Sequence, residues 1–486
     1  MYVLLHTARS PTLQQFYEIH WSVLPNLSMD IVVPVLATVF PLETSGKIFV
    51  ALILLLISSG TIALHYAVHK RLSPWPYIVF LFLFNSMLIL GVINYLFGLG
   101  LALWGIAIWI LLREKSNLVR IPMFYVFAVV LFFAHFSAFG FYAVVVLAYE
   151  ASRSIKAWYP TRALLVVDWA YTLGQFLIPA LLFLHSRTAG RAELTTSWEL
   201  FRKAVAPIAL VWNYNFILDM ATLIAICELI IIGLIARKLA IARSMKMALL
   251  VLALIFLVMP STVLSSNYAD YRLVPALTCL FIASSDFGTA RRSNWRPLLI
   301  AGLAGLFVLR MGVVVSYWQN IDKQYAEYLQ AIDKLPMGSR LFAAFGHTPE
   351  PNKSFDSDIH LNEESIPFYA VIRKSAFVPL LYADPTIQPI SFTPAYQRLA
   401  EQTSTSYGGG GDSPAWEQLK NYYDYWLIVR ESLFKLPLPD GIEPVFTGRD
   451  FRLYKVKSSG RTDATIAVDR LCSDPRPENN DQCRQR

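Results

Sequence analysis

Long apolar blocks, separated by short polar segments, constrain the fold of this chain more than any other feature of its sequence. About 20 apolar residues suffice to cross a bilayer as an α-helix. Ten blocks qualify as membrane segments, several of them shorter than this: 46–68, 76–90, 94–112, 121–135, 137–149, 163–185, 216–236, 247–264, 273–287 and 297–317. The sequence therefore predicts an all-α polytopic membrane protein with about ten transmembrane helices, in which the short segments form tight hairpins or broken helices.

The overall composition agrees with this fold class. Of the 486 residues, 55% are hydrophobic and only 16% are charged, whereas a soluble domain carries about 25% charged residues. The net charge of +8 is spread over short loops and forms no basic stripe or nucleic-acid reading motif, so we expect no nucleic-acid partner.

Lysine and arginine concentrate in alternate loops, which sets the orientation through the positive-inside rule. The cytoplasmic loops are predicted to be those with Lys70, Arg71, Arg113, Lys115, Arg120, Arg153, Lys156, Arg162, Arg237, Lys238, Arg243, Lys246, Arg291, Arg292 and Arg296. The opposite loops hold only Arg187, Arg191, Arg202, Lys203 and Arg272. Both ends of the chain are then predicted to lie outside the cytoplasm. An outer N-terminal segment without a signal peptide needs a way across the membrane, so we also expect one more helix upstream of Met1.

Four regions follow from this layout. Residues 1–45 are predicted to be an outer segment with an interfacial helix, and residues 46–317 a transmembrane helical domain. Residues 318–457 are predicted to be an extracytoplasmic α/β domain, with strand-like runs at 339–345, 376–383, 423–429 and 451–456 and helical runs at 324–335 and 415–423. Residues 458–486 are a polar tail, expected to be disordered, in which Cys472 and Cys483 could form a disulfide outside the cytoplasm.

The first group of candidate site residues lies in the outer N-terminal segment. Glu18, His20 and Asp30 stand among aromatic residues, and Asp30 is near the start of an apolar run of one helix length. A carboxylate is stabilised at a helix N-terminus, so Asp30 could be a simple cap and His20 an interfacial residue. Alternatively, Asp30 or Glu18 is a general base above the membrane.

The second group stands at the edge of a late apolar segment, in the stretch "NYADYRLVPAL" (267–277). Arg272 could extend its side chain to the membrane surface, pair with Asp270, or bind a lipid phosphate through the bidentate geometry of its guanidinium. Asn267, Tyr268 and Tyr271 add hydrogen-bonding groups and aromatic faces suited to a sugar.

The third group is the outer loop 186–215, in which Arg187, Arg191, Arg202 and Lys203 are interleaved with tryptophans. This pattern fits either an amphipathic interfacial helix at 197–212 or a surface that binds an anionic amphiphile. Ionisable residues inside the apolar segments are Asp168, Asp219, Glu228, Arg310 and His135. Such residues are costly in lipid and often functional, although His135 fits a packed, hydrogen-bonded histidine better than a ligand.

The layout resembles the GT-C membrane glycosyltransferases. "NYADYRLVPAL" is similar to the stretch that opens a late helix in the branch of protein mannosyltransferases and aminoarabinose transferases, and "LGVINYLFGLGLALWGIAIW" (90–109) is similar to their glycine-punctuated early helices. The resemblance implies a bacterial cytoplasmic membrane enzyme with its C-terminal domain in the periplasm. It also implies transfer of a sugar from a polyprenyl-phosphate carrier to a glycan, lipid or protein acceptor.

By this resemblance Arg272 binds the donor phosphate, with Asp270, Tyr271, Asn267, His20, Arg202 and Lys203 around the substrates. The catalytic carboxylate is expected in the first outer loop, which leaves Asp30 and Glu18 as candidates unless that loop precedes Met1. No cluster of residues implies a metal site, and dependence on a divalent metal stays open. The alternatives are a transporter or flippase of lipid-linked saccharide, for which Glu228 would line a central path, and a non-catalytic membrane protein.

Overall fold

A computed structural model describes residues 1–113, 115, 117–155, 162–189, 196–263, 267–287, 296–346, 364–404 and 416–457. The chain forms two compact units. The helical unit is Ser22–Tyr317, and the mixed unit combines Met1–Trp21 with Trp318–Arg486. The predicted tail 458–486, with Cys472 and Cys483, lies outside the described residues.

The described residues are mostly helical. In chain order the α-helices are α1 (Tyr2–His6), α2 (Pro11–Phe16), α3 (Ser28–Leu36), α4 (Leu42–His69), α5 (Ser86–Ile89), α6 (Ile93–Leu111), α7 (Asn117–Ala134), α8 (Phe136–Ser154), α9 (Arg162–Gly174), α10 (Leu177–Leu184), α11 (Leu200–Val205), α12 (Phe216–Ile235), α13 (Lys246–Val258), α14 (Leu273–Ser284), α15 (Arg296–Asp333), α16 (Phe368–Lys374), α17 (Pro394–Ser404) and α18 (Trp416–Leu419). Short 3₁₀ helices occupy Thr7–Arg9, Trp75–Phe82, Ala206–Leu210 and Glu431–Leu433. The strands are β1 (Tyr17–Ile19), β2 (Leu239–Ile241), β3 (Ser285–Phe287), β4 (Leu341–Phe345), β5 (Ile390–Phe392), β6 (Tyr425–Val429), β7 (Ile442–Thr447) and β8 (Phe451–Val456).

Six helical segments in the described part of the chain are long and apolar enough to cross a membrane: Leu42–His69, Ile93–Leu111, Asn117–Ala134, Leu165–Leu184, Phe216–Ile235 and Pro297–Asp333. Two shorter apolar helices are Lys246–Val258 and Leu273–Ser284. This supports a multi-pass membrane protein, whereas the ten-segment count stays a prediction.

Three predicted helical segments are interrupted. Residues 76–90 form a 3₁₀ helix and then α5, because the Asn85 side chain accepts a hydrogen bond from the Leu88 N–H (3.2 Å) and caps a new helix. Residues 163–185 are divided into α9 and α10 at Gln175, whose side chain bonds the Tyr142 hydroxyl (2.8 Å). The predicted amphipathic helix 197–212 ends at Val205 and continues as a 3₁₀ helix that contains Pro207.

Close packing of α4 against α6 forms the centre of the helical unit. A Cβ atom on Gly100 would lie 2.6 Å from the Leu56 Cβ, and one on Gly60 would lie 3.0 Å from the Leu103 Cβ. Neither position has room for a side chain without movement of the neighbouring helix. Small residues at such an interface let two membrane helices approach closely.

Ion pairs link segments of the helical unit that are distant in sequence. The clearest joins α12 to α15: Arg310 Nη1 lies 2.7 Å from Asp219 Oδ1, and Arg310 Nη2 donates to the Val211 carbonyl at 2.6 Å. Both side chains are buried. Similar pairs neutralise the buried carboxylates of Glu150 (with Arg113 and Arg153), Asp270 (with Lys203) and Asp286 (with Arg71).

The mixed unit is built on a four-stranded sheet in the order β4-β6-β8-β7. Strands β4 and β6 are parallel, and the other neighbours are antiparallel. The predicted strands at 339–345, 423–429 and 451–456 are confirmed within two residues. The predicted strand at 376–383 is wrong, since only Phe377 makes an isolated bridge, to Arg340, and Pro379 follows without a backbone N–H to donate.

The N-terminal residues are an integral part of the mixed unit. Strand β1 pairs with β5, and the buried Tyr17 hydroxyl donates to the Ala376 carbonyl at 2.9 Å. Leu13 and Phe16 lie in the same hydrophobic core as Phe342 and Trp426. The predicted helical run 324–335 is not a separate helix. It continues the predicted membrane segment 297–317, and together they form the single helix α15.

We expect replacement of Arg310 by methionine to reduce the free energy of unfolding by about 3–5 kcal/mol, because Asp219 would stay buried without its partner. The double variant Asp219→Asn/Arg310→Met should recover most of this loss. Thermal unfolding of the protein in detergent micelles measures both effects. A double variant as unstable as the single one would contradict this role for the pair.

Candidate functional site

Polar residues lie near one another at the end of the helical unit where α3, α6, α8 and α14 begin. We call Asp30, Asn94, Tyr95, His135 and Arg272 the helix-start cluster. Asn94 accepts a hydrogen bond from the N–H of Met29, the residue before Asp30. Tyr95, the next residue in the chain after Asn94, donates to the Arg272 carbonyl and contacts the His135 ring, all within the helical unit. Of these residues, sequence analysis placed only Asp30 and Arg272 in the candidate site.

Asn94 fixes the start of α3, the helix that carries Asp30. Its side-chain oxygen accepts hydrogen bonds from the Met29 N–H (2.8 Å) and the Ser28 hydroxyl (3.0 Å), while its amide group donates to the Asn26 carbonyl (3.0 Å). The first N–H groups of a helix have no partner within the helix, so such bonds determine where the helix begins. Asn94 therefore positions the segment around Asp30 against α6.

Tyr95 connects the starts of α6, α8 and α14. Its hydroxyl donates to the backbone carbonyl of Arg272, and its ring makes an edge contact with the His135 ring, with centroids 5.4 Å apart. His135 caps α8, because its Nδ1 accepts a hydrogen bond from the Ser137 N–H at 3.1 Å. The expectation of a packed, hydrogen-bonded histidine is confirmed, and the same contacts hold it beside Arg272.

Asp30 differs from the other buried carboxylates. In the described residues, the buried acidic side chains are Asp30, Glu150, Asp219, Asp270 and Asp286. All except Asp30 pair with a lysine or arginine within 4 Å. Burial raises the pKa of Asp30 to about 6. A carboxylate with this pKa is ionised at neutral pH and still basic enough to accept a proton, which suits a general base.

Asp270 has a structural role. It is fully buried, and its carboxylate accepts hydrogen bonds from the Tyr271 N–H (3.0 Å) and the Ser261 hydroxyl (3.2 Å). The Lys203 Nζ lies 3.5 Å from the Asp270 Oδ2 and also donates to the carbonyl of Met259 at 2.5 Å. Asp270 and Lys203 thus bind each other and the end of α13, and the alternative that Asp270 pairs with Arg272 is not what the structure shows.

Arg272 is half-buried at the N-terminal end of α14. Its Nη2 donates to the Asn267 carbonyl at 3.2 Å. The Asn267 side chain bonds the Thr262 hydroxyl at 3.1 Å, and Tyr271 is buried. The neighbours predicted to bind substrate therefore orient the loop before α14, and only Arg272 combines charge with exposure.

The remaining candidates are placed differently. Glu18 and His20 belong to the mixed unit, where they form an exposed pair with 2.9 Å between Glu18 Oε2 and His20 Nε2. Arg202 lies in α11, and its side chain is outside what the structure describes. No group of three potential ligand side chains suited to a metal ion occurs in the described part of the chain.

Two ionisable residues predicted inside membrane segments lie away from the helix-start cluster. Asp168, in α9, binds Arg113 and Arg153, the latter at 2.5 Å. Glu228 is exposed on α12, and its helical neighbours Ile224 and Ile231 are exposed as well. Glu228 therefore stands on an apolar face of the helix rather than among other polar groups.

Sequence analysis missed Asn94 and Tyr95 as parts of the site, although both lie in the glycine-punctuated stretch 90–109. The sequence signal for this part of the site was the presence of two adjacent polar residues, Asn94 and Tyr95, at the start of an apolar helix. Comparisons of the chain with models of protein families, with characterised proteins and with solved structures found no significant match.

Replacement of Asn94 by leucine should destabilise the protein by about 1–3 kcal/mol, because it leaves the Met29 N–H and the Asn26 carbonyl without their partner. Thermal unfolding in detergent provides the measurement. The matched control is Asn117→Leu, which changes an exposed asparagine at the start of α7. Equal losses in the two variants would show that Asn94 does not anchor α3.

Proposed function

We propose that this protein is a membrane glycosyltransferase that moves a sugar from a polyprenyl-phosphate carrier to an extracytoplasmic acceptor. The observation that carries this proposal is a buried carboxylate without a lysine or arginine partner, Asp30, in a segment that is held near the backbone of a partly exposed arginine, Arg272. The connection runs from the Met29 N–H through Asn94 and Tyr95 to the Arg272 carbonyl. A base and a cation at one end of a helical unit are the two groups that this reaction requires.

The chemistry assigns one step to each group. The acceptor hydroxyl attacks the anomeric carbon of the donor, its proton passes to the Asp30 carboxylate, and a new glycosidic C–O bond forms. The bond between the anomeric carbon and the phosphate oxygen breaks at the same time, so the polyprenyl phosphate leaves with the bonding electrons. Negative charge increases on the leaving phosphate, and the Arg272 guanidinium would stabilise it.

The environment proposed for this reaction is the outer surface of a bacterial cytoplasmic membrane. A lipid phosphate lies at the membrane interface, so a cation that binds it should stand at the end of an apolar helix. Arg272 stands at the start of the short apolar helix α14. The ten-segment layout would place this end of α14 outside the cytoplasm and the C-terminal part of the chain in the periplasm. The acceptor would then be a periplasmic glycan, lipid or protein.

A transporter of lipid-linked saccharide is less well supported. That function predicts ionisable groups along a central path, with Glu228 among them. Glu228 instead has exposed apolar neighbours on its helix face, which is typical of a surface in contact with lipid.

Replacement of Arg272 by glutamine should reduce sugar transfer by about 100-fold, as expected when a group that stabilises transition-state charge is lost. Proteoliposomes supplied with a panel of radiolabelled polyprenyl-phosphate sugars provide the assay. Arg243→Gln removes an exposed arginine from a loop of the helical unit that is predicted to be cytoplasmic and should leave transfer unchanged. Full activity of the Arg272 variant would refute the assignment of the phosphate-binding group.

Replacement of Asp30 by asparagine should reduce transfer by about 10²–10⁴-fold. In the unmodified protein the rate should rise with pH around 6, because Asp30 acts only when ionised. The raised pKa also means that the folded state binds this proton more tightly than the unfolded state does. Its contribution to stability is therefore present at about pH 4 and is lost as the pH rises through about 6.

Glu18 provides the matched control for Asp30, because it is the other carboxylate that the sequence suggested. Glu18→Gln should change neither the rate nor its pH dependence. A large loss in the Glu18 variant with full activity in the Asp30 variant would transfer the role of base to Glu18.

A further inference from the structure

A cleft of about 640 Å³ lies at one end of the four-stranded sheet in the mixed unit. It is found where β4, β6 and β7 begin and β8 ends, and its walls include Arg340, Tyr425, Glu443 and Lys455. Small-molecule sites typically enclose about 300–1,000 Å³, so this space can hold a ligand larger than a single inorganic ion.

Three wall residues form a row across the sheet. Tyr425 on β6 is directly opposite Lys455 on β8, and Lys455 is directly opposite Glu443 on β7. Side chains of directly opposite residues point to the same face of a sheet, with Cβ atoms about 4.5–5.5 Å apart. The row therefore places an exposed ammonium group between an exposed carboxylate and Tyr425, whose ring is largely buried in the core and reaches the cleft only at its edge.

The charges around the cleft favour an anion. Four cations line it, against the two carboxylates of Asp424 and Glu443. The ion pairs Arg340–Asp424 (2.9 Å) and Lys457–Glu443 (2.7 Å) engage both carboxylates, and Lys420 pairs with Glu417 at 2.7 Å. The Lys455 side chain is exposed and makes no ion pair or hydrogen bond with the side chains or backbone of the described residues. It is the cation most available to a ligand.

We propose that this cleft binds an anionic saccharide. Lys455 would pair with its carboxylate or phosphate group, Tyr425 would contact the ring, and Glu443 would accept hydrogen bonds from its hydroxyl groups. A pure anion site does not need a carboxylate beside its central lysine, whereas a hydroxyl-rich ligand is bound well by such neighbours. The proposal rests on the mixed unit alone and does not depend on the transfer reaction.

Binding of tetragalacturonate to the full-length protein in detergent micelles, measured by isothermal titration calorimetry, tests the proposal. Lys455→Gln should weaken binding by about tenfold, as expected for loss of a charge-assisted hydrogen bond. The control Arg449→Gln removes an exposed cation from the opposite end of the β7–β8 hairpin and should leave the affinity unchanged.

Two competitors separate the possible sources of binding. Maltotetraose, a neutral saccharide, should bind more weakly than tetragalacturonate, and glucose 6-phosphate should compete at the same site if either anion is accepted. Inorganic phosphate that competes as well as glucose 6-phosphate would overturn the saccharide assignment, because only the anion would then be recognised. Absence of tetragalacturonate binding to the unmodified protein, or equal losses in the Lys455 and Arg449 variants, would also overturn it.

Discussion

Neutralisation of buried charge is the constraint on which the helical unit depends. An isolated ionised group in an apolar interior is very costly, so it must be paired or protonated. The unit follows this rule by joining segments that are distant in sequence. Asp219 binds Arg310, Asp270 binds Lys203 and Asp286 binds Arg71. These contacts hold the segments together without involving the exposed apolar surfaces of the helices.

Asp30 is informative because it departs from this rule. Its buried carboxylate has no lysine or arginine beside it, and its raised pKa expresses the cost of that position. Proteins often retain such an unfavourable arrangement where the group has a chemical task. Asn94 supports this interpretation, because three hydrogen bonds hold the start of α3 in place without neutralising the carboxylate.

Sequence patterns predicted much of the architecture and only part of the candidate site. Apolar length located the major helices, and short strand-like runs located β4, β6 and β8, because both depend on burial along a local segment. Hydrophobic periodicity did not predict the interruption at Gln175 or the union of two predicted helices in α15. Both depend on local capping and on tertiary contacts. Arg272 and Asp30 were identified by charge at the edge of apolar segments. The roles of Asn94 and Tyr95, and the pairing of Asp270 with Lys203, could be identified only from the positions of the helices in the folded protein.

The pair between Asp219 and Arg310 has a consequence for biosynthesis. The two residues are 91 positions apart in the chain, so α12 leaves the ribosome well before α15 exists. An unpaired aspartate near the start of α12 makes insertion of that helix less favourable. We infer that α12 is retained in a polar setting, such as the insertion machinery, until the last long helix arrives. Assembly of this unit would then finish as a concerted event and not one helix at a time.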